Sequence, residues 1–174
     1  RTESFRAGYL AFPPELIAVL ESEGYRYDSS FSANDVLTTF PYFALPERQP
    51  GAVESDVIEI PVTLDDALGF LTEETKEEAV EQWKRIVSAH AANETITVLL
   101  IHPSDTRDET YKLEAQRELM EHAEGLGAWI GCVADFGDFW RARNGLGISG
   151  IEREGGILRL HLDLSARELH PWIG

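Results

Sequence analysis

The stretch Thr95-Ile96-Thr97-Val98-Leu99-Leu100-Ile101 narrows the possible folds of this chain more than any other. It is β-branched or leucine throughout, and His102-Pro103 closes it. A strand with one wet face alternates polar and apolar residues. A nearly continuous apolar run bounded by breakers instead reads as a strand buried on both faces, as in parallel sheets covered by helices. Helical patterns on either side can supply that cover. One is expected from Glu73 to about His90, with Thr72 as N-cap, acidic residues in the first turn and Val80, Trp83 and Val87 on one face. A second is expected from about Asp108 to Leu126, with Leu119, Ala123 and Leu126 on a stripe and Gly127 as stop.

The rest of the chain keeps the same rhythm. Glu3 to Arg6 reads as a strand tail, and Pro13-Pro14 open a helix that Gly24 stops. Tyr25 to Ser29 and Val57 to Pro61 read as strands on either side of a long excursion from Ser30 to Asp56, rich in proline and aromatics. Ala128 to Val133 is expected as a strand, and Asp135 to Arg143 as a short helix closed by Asn144-Gly145. Strands alternating with helices define an α/β fold built from βαβ units. Beyond Gly147, Ile148–Glu152 and Ile157–Leu164 flank Glu154-Gly155-Gly156, the signature of an antiparallel hairpin. The expected division is therefore residues 1–147, and residues 148–174 as a hairpin tail or the start of an accessory β-domain.

Charge excludes some partners. Fifteen Lys and Arg against thirty-one Asp and Glu give a net charge of -16, which repels phosphate backbones and anionic lipid alike. That charge is more often a solvated surface than a substrate signal. No window approaches the roughly 18 apolar residues of a membrane span. Arg1 is neither an initiator Met nor the start of a signal peptide, so the chain is expected to begin inside a longer protein. Cys132 is the single cysteine, which leaves no intrachain disulfide or cysteine cluster and suggests a buried thiol acting as a small hydrophobe.

In parallel-stranded α/β folds, reactive groups sit at the C-terminal ends of strands. His102 occupies such a place, where an imidazole can donate a proton near neutral pH and Pro103 can fix its backbone. A loop hydrogen bond with no further role is an equal alternative. Arg6, in Phe5-Arg6-Ala7-Gly8-Tyr9, can lock a carboxylate by a bidentate pair, although a surface arginine beside a turn glycine looks the same. Asp28 ends a strand before Ser29-Ser30 and either caps a turn or buttresses a catalytic group. No pair among His90, His102, His122, His161 and His170 has the spacing that sets two imidazoles on one helical face as metal ligands. His90 and His122 read as exposed or helix-end residues. Asp65-Asp66 could imitate a metal-binding pair but reads as a loop or helix cap.

Taken in order, Arg6-Ala7-Gly8-Tyr9, Gly24-Tyr25-Arg26-Tyr27-Asp28-Ser29-Ser30, Leu100-Ile101-His102-Pro103 and Phe139-Trp140-Arg141-Ala142-Arg143 resemble the polysaccharide deacetylase family (NodB-like, carbohydrate esterase family 4) over roughly residues 4–146. The resemblance implies part of a distorted (β/α) barrel, its C-terminal portion, ending in the β-hairpin. It also implies a hydrolase that removes N- or O-acetyl groups from a polysaccharide or oligosaccharide. A divalent metal, zinc above all, would be held by an Asp and two His upstream of Arg1; no metal ligand is identified within this chain. His102 would then be general acid, Arg6 would orient the missing base, and the backbone amide of Tyr9 would hold the oxyanion. Gly8 stands where the family has Pro, and no Asp-Trp pair follows Asp28, so the partner of the histidine is Asp28, Asp35 or no residue. The family implies an extracellular or periplasmic location, with the cytoplasm left open.

A carbohydrate-binding or scaffolding domain that keeps the barrel without its chemistry is the competing reading, and a paired-carboxylate glycosidase is a third. A partial barrel leaves strand edges and apolar surface uncovered, so a homo-oligomer or pairing with an upstream segment is expected.

Overall fold

The structure is a computed structural model that describes residues 2–45, 54–67, 71–102 and 109–164. Pro103, Asp108 and His170 lie outside the described residues. The chain divides into two compact units, Arg1–Gly131 and Cys132–Gly174.

The first unit is mixed α/β, with the strands short and the helices long. Strands β1 (Ser4–Phe5), β2 (Tyr27–Asp28) and β4 (Ile58–Glu59) run parallel, and β3 (Tyr42–Phe43) closes the far edge antiparallel to β4. Between β1 and β2, helix α1 (Leu16–Ser22) turns Ile17 and Leu20 inward onto Val57 and Ala44, with Phe5, Phe12 and Tyr25 packed around them. Gly24 stops the helix with a left-handed φ of 76°, where glycine carries no Cβ penalty. The excursion after β2 holds the short helix α2 (Ala33–Val36), capped by the Ser32 hydroxyl accepting from Asn34 N.

The extended stretch that contains β4 does not end there. It bridges Ser32 through Val62 and continues as β5 (Leu64–Asp65), parallel to β6 (Leu99–Leu100). Helices α3 (Lys76–Ala92) and α4 (Thr110–Gly125) cover this second sheet. Ala79, Val80, Trp83 and Val87 of α3 meet Ala115 and Leu119 of α4 above Leu64. Trp83 is almost wholly buried, and an aromatic of its size contributes on the order of 2–3 kcal/mol through that burial. Ahead of α3 the Thr72 hydroxyl accepts from Thr75 N and the Thr75 hydroxyl from Thr72 N, the reciprocal pattern of a capping box with Thr72 in the expected capping role, and the regular helix begins after Thr75.

Three expectations are corrected. Thr95–Ile101 forms regular pairs only at Leu99–Leu100, and these are half-exposed. Pairing centres on Val98–Leu100: Thr63 N and Leu64 N donate to the Val98 carbonyl and Asp66 N to that of Leu100, the Thr63 hydroxyl also bonds Val98 N and O, and His90 Nδ1 bonds the Thr97 hydroxyl. β6 also has one neighbouring strand, β5, among the described residues. Ala128–Val133 forms no strand: Ala128 to Cys132 are exposed and Cys132 is an exposed thiol, because an apolar run without a partner strand has nothing to pair with. The described residues contain no closed barrel; the described sheets have four, two and two strands.

The second unit is helix α5 (Val133–Asn144) followed by the hairpin of β7 (Leu146–Glu154) and β8 (Ile157–Leu164). Gly155 and Gly156 turn it with φ of 58° and 87°, the double left-handed geometry of a tight two-residue turn. A bulge between Ile148 and Gly150 keeps Ile148 and Ile151 on one face, opposite Leu162 and Leu160. That face is exposed.

Candidate functional site

Two clusters gather at the ends of the parallel strands in the first unit. In the first, Arg6 follows β1 and its Nε and Nη2 donate to the Ser29 carbonyl (2.9 Å) and hydroxyl (2.7 Å). Ser29 in turn donates to the Ile60 carbonyl, so three strands converge on this contact. Burial pulls the Arg6 guanidinium below its ordinary value, while Glu59, Asp28 and Asp65 pull it up. Asp28 and Glu59 are direct neighbours across β2 and β4, and both are fully buried. Burial raises both carboxyls, and with the hydrogen bond and charge of Asp28 it pushes Glu59 up to about 9.

The turn after Arg6 is strained. Tyr9 and Leu10 both adopt left-handed backbone angles, φ 58° and 50°, in the 3-10 turn Gly8–Leu10. Each such residue costs about 1–2 kcal/mol, and residues held this way concentrate at functional sites. The turn closes through Leu10 N to Ala7 O and Ala11 N to Gly8 O, and the Tyr9 N–H finds no acceptor among the described residues.

In the second cluster, His102 follows β6 and Asp66 follows β5. Asp66 is buried to 1% exposure, and its carboxylate accepts from His102 N at 3.0 and 3.2 Å and from Gln116 Nε2 of α4 at 3.2 Å. The same carboxylate meets His102 Nδ1 at 2.5 Å. With Nδ1 committed to Asp66, Nε2 is the ring nitrogen left for chemistry, on a side chain 42% exposed. A buried carboxylate that fixes the tautomer of a half-exposed imidazole is an arrangement suited to proton transfer.

Asp65 links the clusters. Its carboxylate lies 3.7 Å from His102 Nδ1 and is also among the charges acting on Arg6. Arg6 and His102 therefore share an acidic neighbour. Asp28 makes no contact with His102, and Asp35 is an exposed residue in the first turn of α2. The partner of the imidazole is Asp66, which the sequence suggested as half of a metal-like pair or as a loop or helix cap; the turn is capped by Asp65, whose Oδ1 accepts from Ala67 N at 2.8 Å. Of the other histidines, His90 bonds Thr97, His122 bonds Ser88 and His161 pairs with Glu152. His90 and His122 both fall in the last turn of their helices, the helix-end placement expected of them, and are half-buried there.

Asp65, Asp66 and His102 bring three metal-type ligand atoms within 4.8 Å of one another. Asp66 also accepts from His102 and Gln116, and Asp65 Oδ1 from Ala67 N, hydrogen bonds of a kind that ligating carboxylates make as well.

What the strand ends define is an α/β domain carrying a carboxylate-clamped imidazole and a half-buried arginine. A crystal structure of a Mycobacterium smegmatis protein provisionally assigned as a polysaccharide deacetylase has a similar fold, with a TM-score of 0.60 at 22% identity over 81% of this chain. The chain spans half the length of that protein. No protein-family model and no curated protein matches it.

Proposed function

We propose that this chain supplies the acid side of a carbohydrate esterase site that removes N- or O-acetyl groups from a polysaccharide or oligosaccharide. The observation that carries this reading is the half-exposed His102 ring held by the buried Asp66 at neighbouring strand ends. The fold shared with a protein assigned to the deacetylases supports it. His102 Nε2 would deliver the proton to the departing amine or alcohol, and the uncommitted N–H of Tyr9 would hold the oxyanion. Arg6 would orient a base contributed by the part of the protein matching the other half of the neighbour. A distorted (β/α) barrel of the deacetylase type is the architecture this implies for the whole. A zinc ion in the longer protein would be held, as the resemblance implies, by an Asp and two His outside this chain.

The test is acetate release from acetylated chitooligosaccharide and from acetylated xylan by the full-length protein. His102→Ala is expected to lower release by about 10²–10⁴-fold, the usual contribution of a positioned general acid. Unchanged release by that variant would remove the acid role.

A further inference from the structure

We propose that Asp28 and Glu59 hold one proton between Asp28 Oδ2 and Glu59 Oε2, and that this acid pair positions Arg6 and the Ala7–Tyr9 turn.

Hydrogen-bond accounting carries the first half. Asp28 Oδ1 accepts from the Ser30 hydroxyl at 2.7 Å, and Glu59 Oε1 accepts from Phe31 N at 2.9 Å. The remaining oxygens, Asp28 Oδ2 and Glu59 Oε2, are buried and have no donor. Two ionised carboxylates side by side at 0% exposure would leave both acceptors unsatisfied and two like charges out of water. One proton satisfies both oxygens and leaves the pair a single negative charge. The charged group acting on the pair is Arg6, at the end of β1, and Asp65 acts on Arg6. The pair and the guanidinium together are then neutral. Burial displaces both carboxyls upward, and the hydrogen bond between them raises Glu59 while lowering Asp28, as one proton held by the pair requires.

Connectivity carries the second half. The Ser30 hydroxyl that donates to Asp28 also accepts from Ala7 N at 2.9 Å, so the turn bearing the free Tyr9 amide is tied to the acid pair through one side chain. Arg6 is tied through Ser29, the residue after Asp28. The pair touches no reacting group; it acts through the residues it holds. The inference rests on the esterase reading only in treating Arg6 and Tyr9 as site residues.

Infrared spectroscopy of the full-length protein labelled with ¹³C-carboxyl glutamate, titrated from acid to alkaline pH, reads the proton directly. The expected result is an isotope-shifted protonated-carboxyl band that persists at neutral pH, fades near about pH 9 and is missing from Glu59→Gln. Exchange protection of the Arg6 Nε–H reads the positioning: in the wild type it is lost as the band fades, and in Glu59→Gln, whose amide still donates to Asp28, it survives the alkaline range. A wild-type protein with no such band at neutral pH overturns the shared proton, even if the variant does not fold. Identical protection profiles in the two proteins overturn the positioning role. A protein that releases no acetate yet keeps the band and the linked protection would remove the esterase reading and support the pair.

Discussion

Asp66 and Asp28 are both aspartates at the C-terminal ends of parallel strands, and both are buried, but the second partner differs. Asp66 faces an imidazole with one side open to solvent and is satisfied by His102 and by Gln116. Asp28 faces another carboxyl that solvent does not reach. The first arrangement can pass a proton to something outside the protein. The second can only keep one. Position at a strand end thus nominates a residue, and the exposure of its partner decides between chemistry and support.

The sharpest way to break this comparison is to exchange the consequences. Truncating His102 should cost activity by the factor given above while lowering the melting temperature only modestly, because the buried Asp66 keeps its bonds from His102 N and Gln116. Asp66→Ala should cost both. It strips the acceptor from the part-buried donors of His102 and from the buried Gln116 amide, a loss of about 1–3 kcal/mol measurable by urea denaturation. An Asp66→Ala protein as stable as wild type would show that the clamp carries no energy.

Glu59→Gln should change the pH dependence of stability and little else. The carboxyl of Glu59 is raised from an ordinary 4.5 to about 9 in the folded protein. A group raised in this way contributes stability that is fully present below about pH 4.5 and is lost as the pH climbs to about 9. Glutamine does not titrate, so the variant should gain on the wild type steadily across that window. Thermal melts at acid, neutral and alkaline pH check this, and parallel curves for the two proteins would contradict it.

The smallest effect is expected at Tyr9. Tyr9→Gly relieves the left-handed strain at φ 58° but adds chain entropy, for a net stabilisation of less than about 1 kcal/mol. It keeps the backbone N–H, so acetate release should stay near wild type. A large drop would assign the role to the ring and not to the amide.

The sequence exposed some of this and hid the rest for identifiable reasons. The helices over the second sheet were legible because Val80, Trp83 and Val87 repeat at helical spacing, and the hairpin because Gly155-Gly156 demands left-handed angles. His102 was legible as a polar residue following an apolar run. Asp66 satisfies the same rule, following Ile58-Glu59-Ile60-Pro61-Val62-Thr63-Leu64, but Pro61 breaks that run and the partner lies 36 residues away. Only the β5–β6 register brings the two together. Glu59 was hidden by its own pattern, since Ile-Glu-Ile reads as a strand with one wet face, whereas all three residues are buried. The overestimate of Thr95–Ile101 as a two-sided interior strand came from reading apolarity as pairing along the whole run, whereas the pairing centres on Val98 to Leu100 and the Thr97 hydroxyl bonds His90.

The most direct test of the link between Asp66 and His102 is a double-mutant cycle on acetate release by the full-length protein, using Asp66→Asn and His102→Ala. If the carboxylate works through the imidazole, Asp66→Asn lowers release in the wild type and costs nothing further once His102 is alanine. Equal losses from Asp66→Asn in both backgrounds would contradict the account.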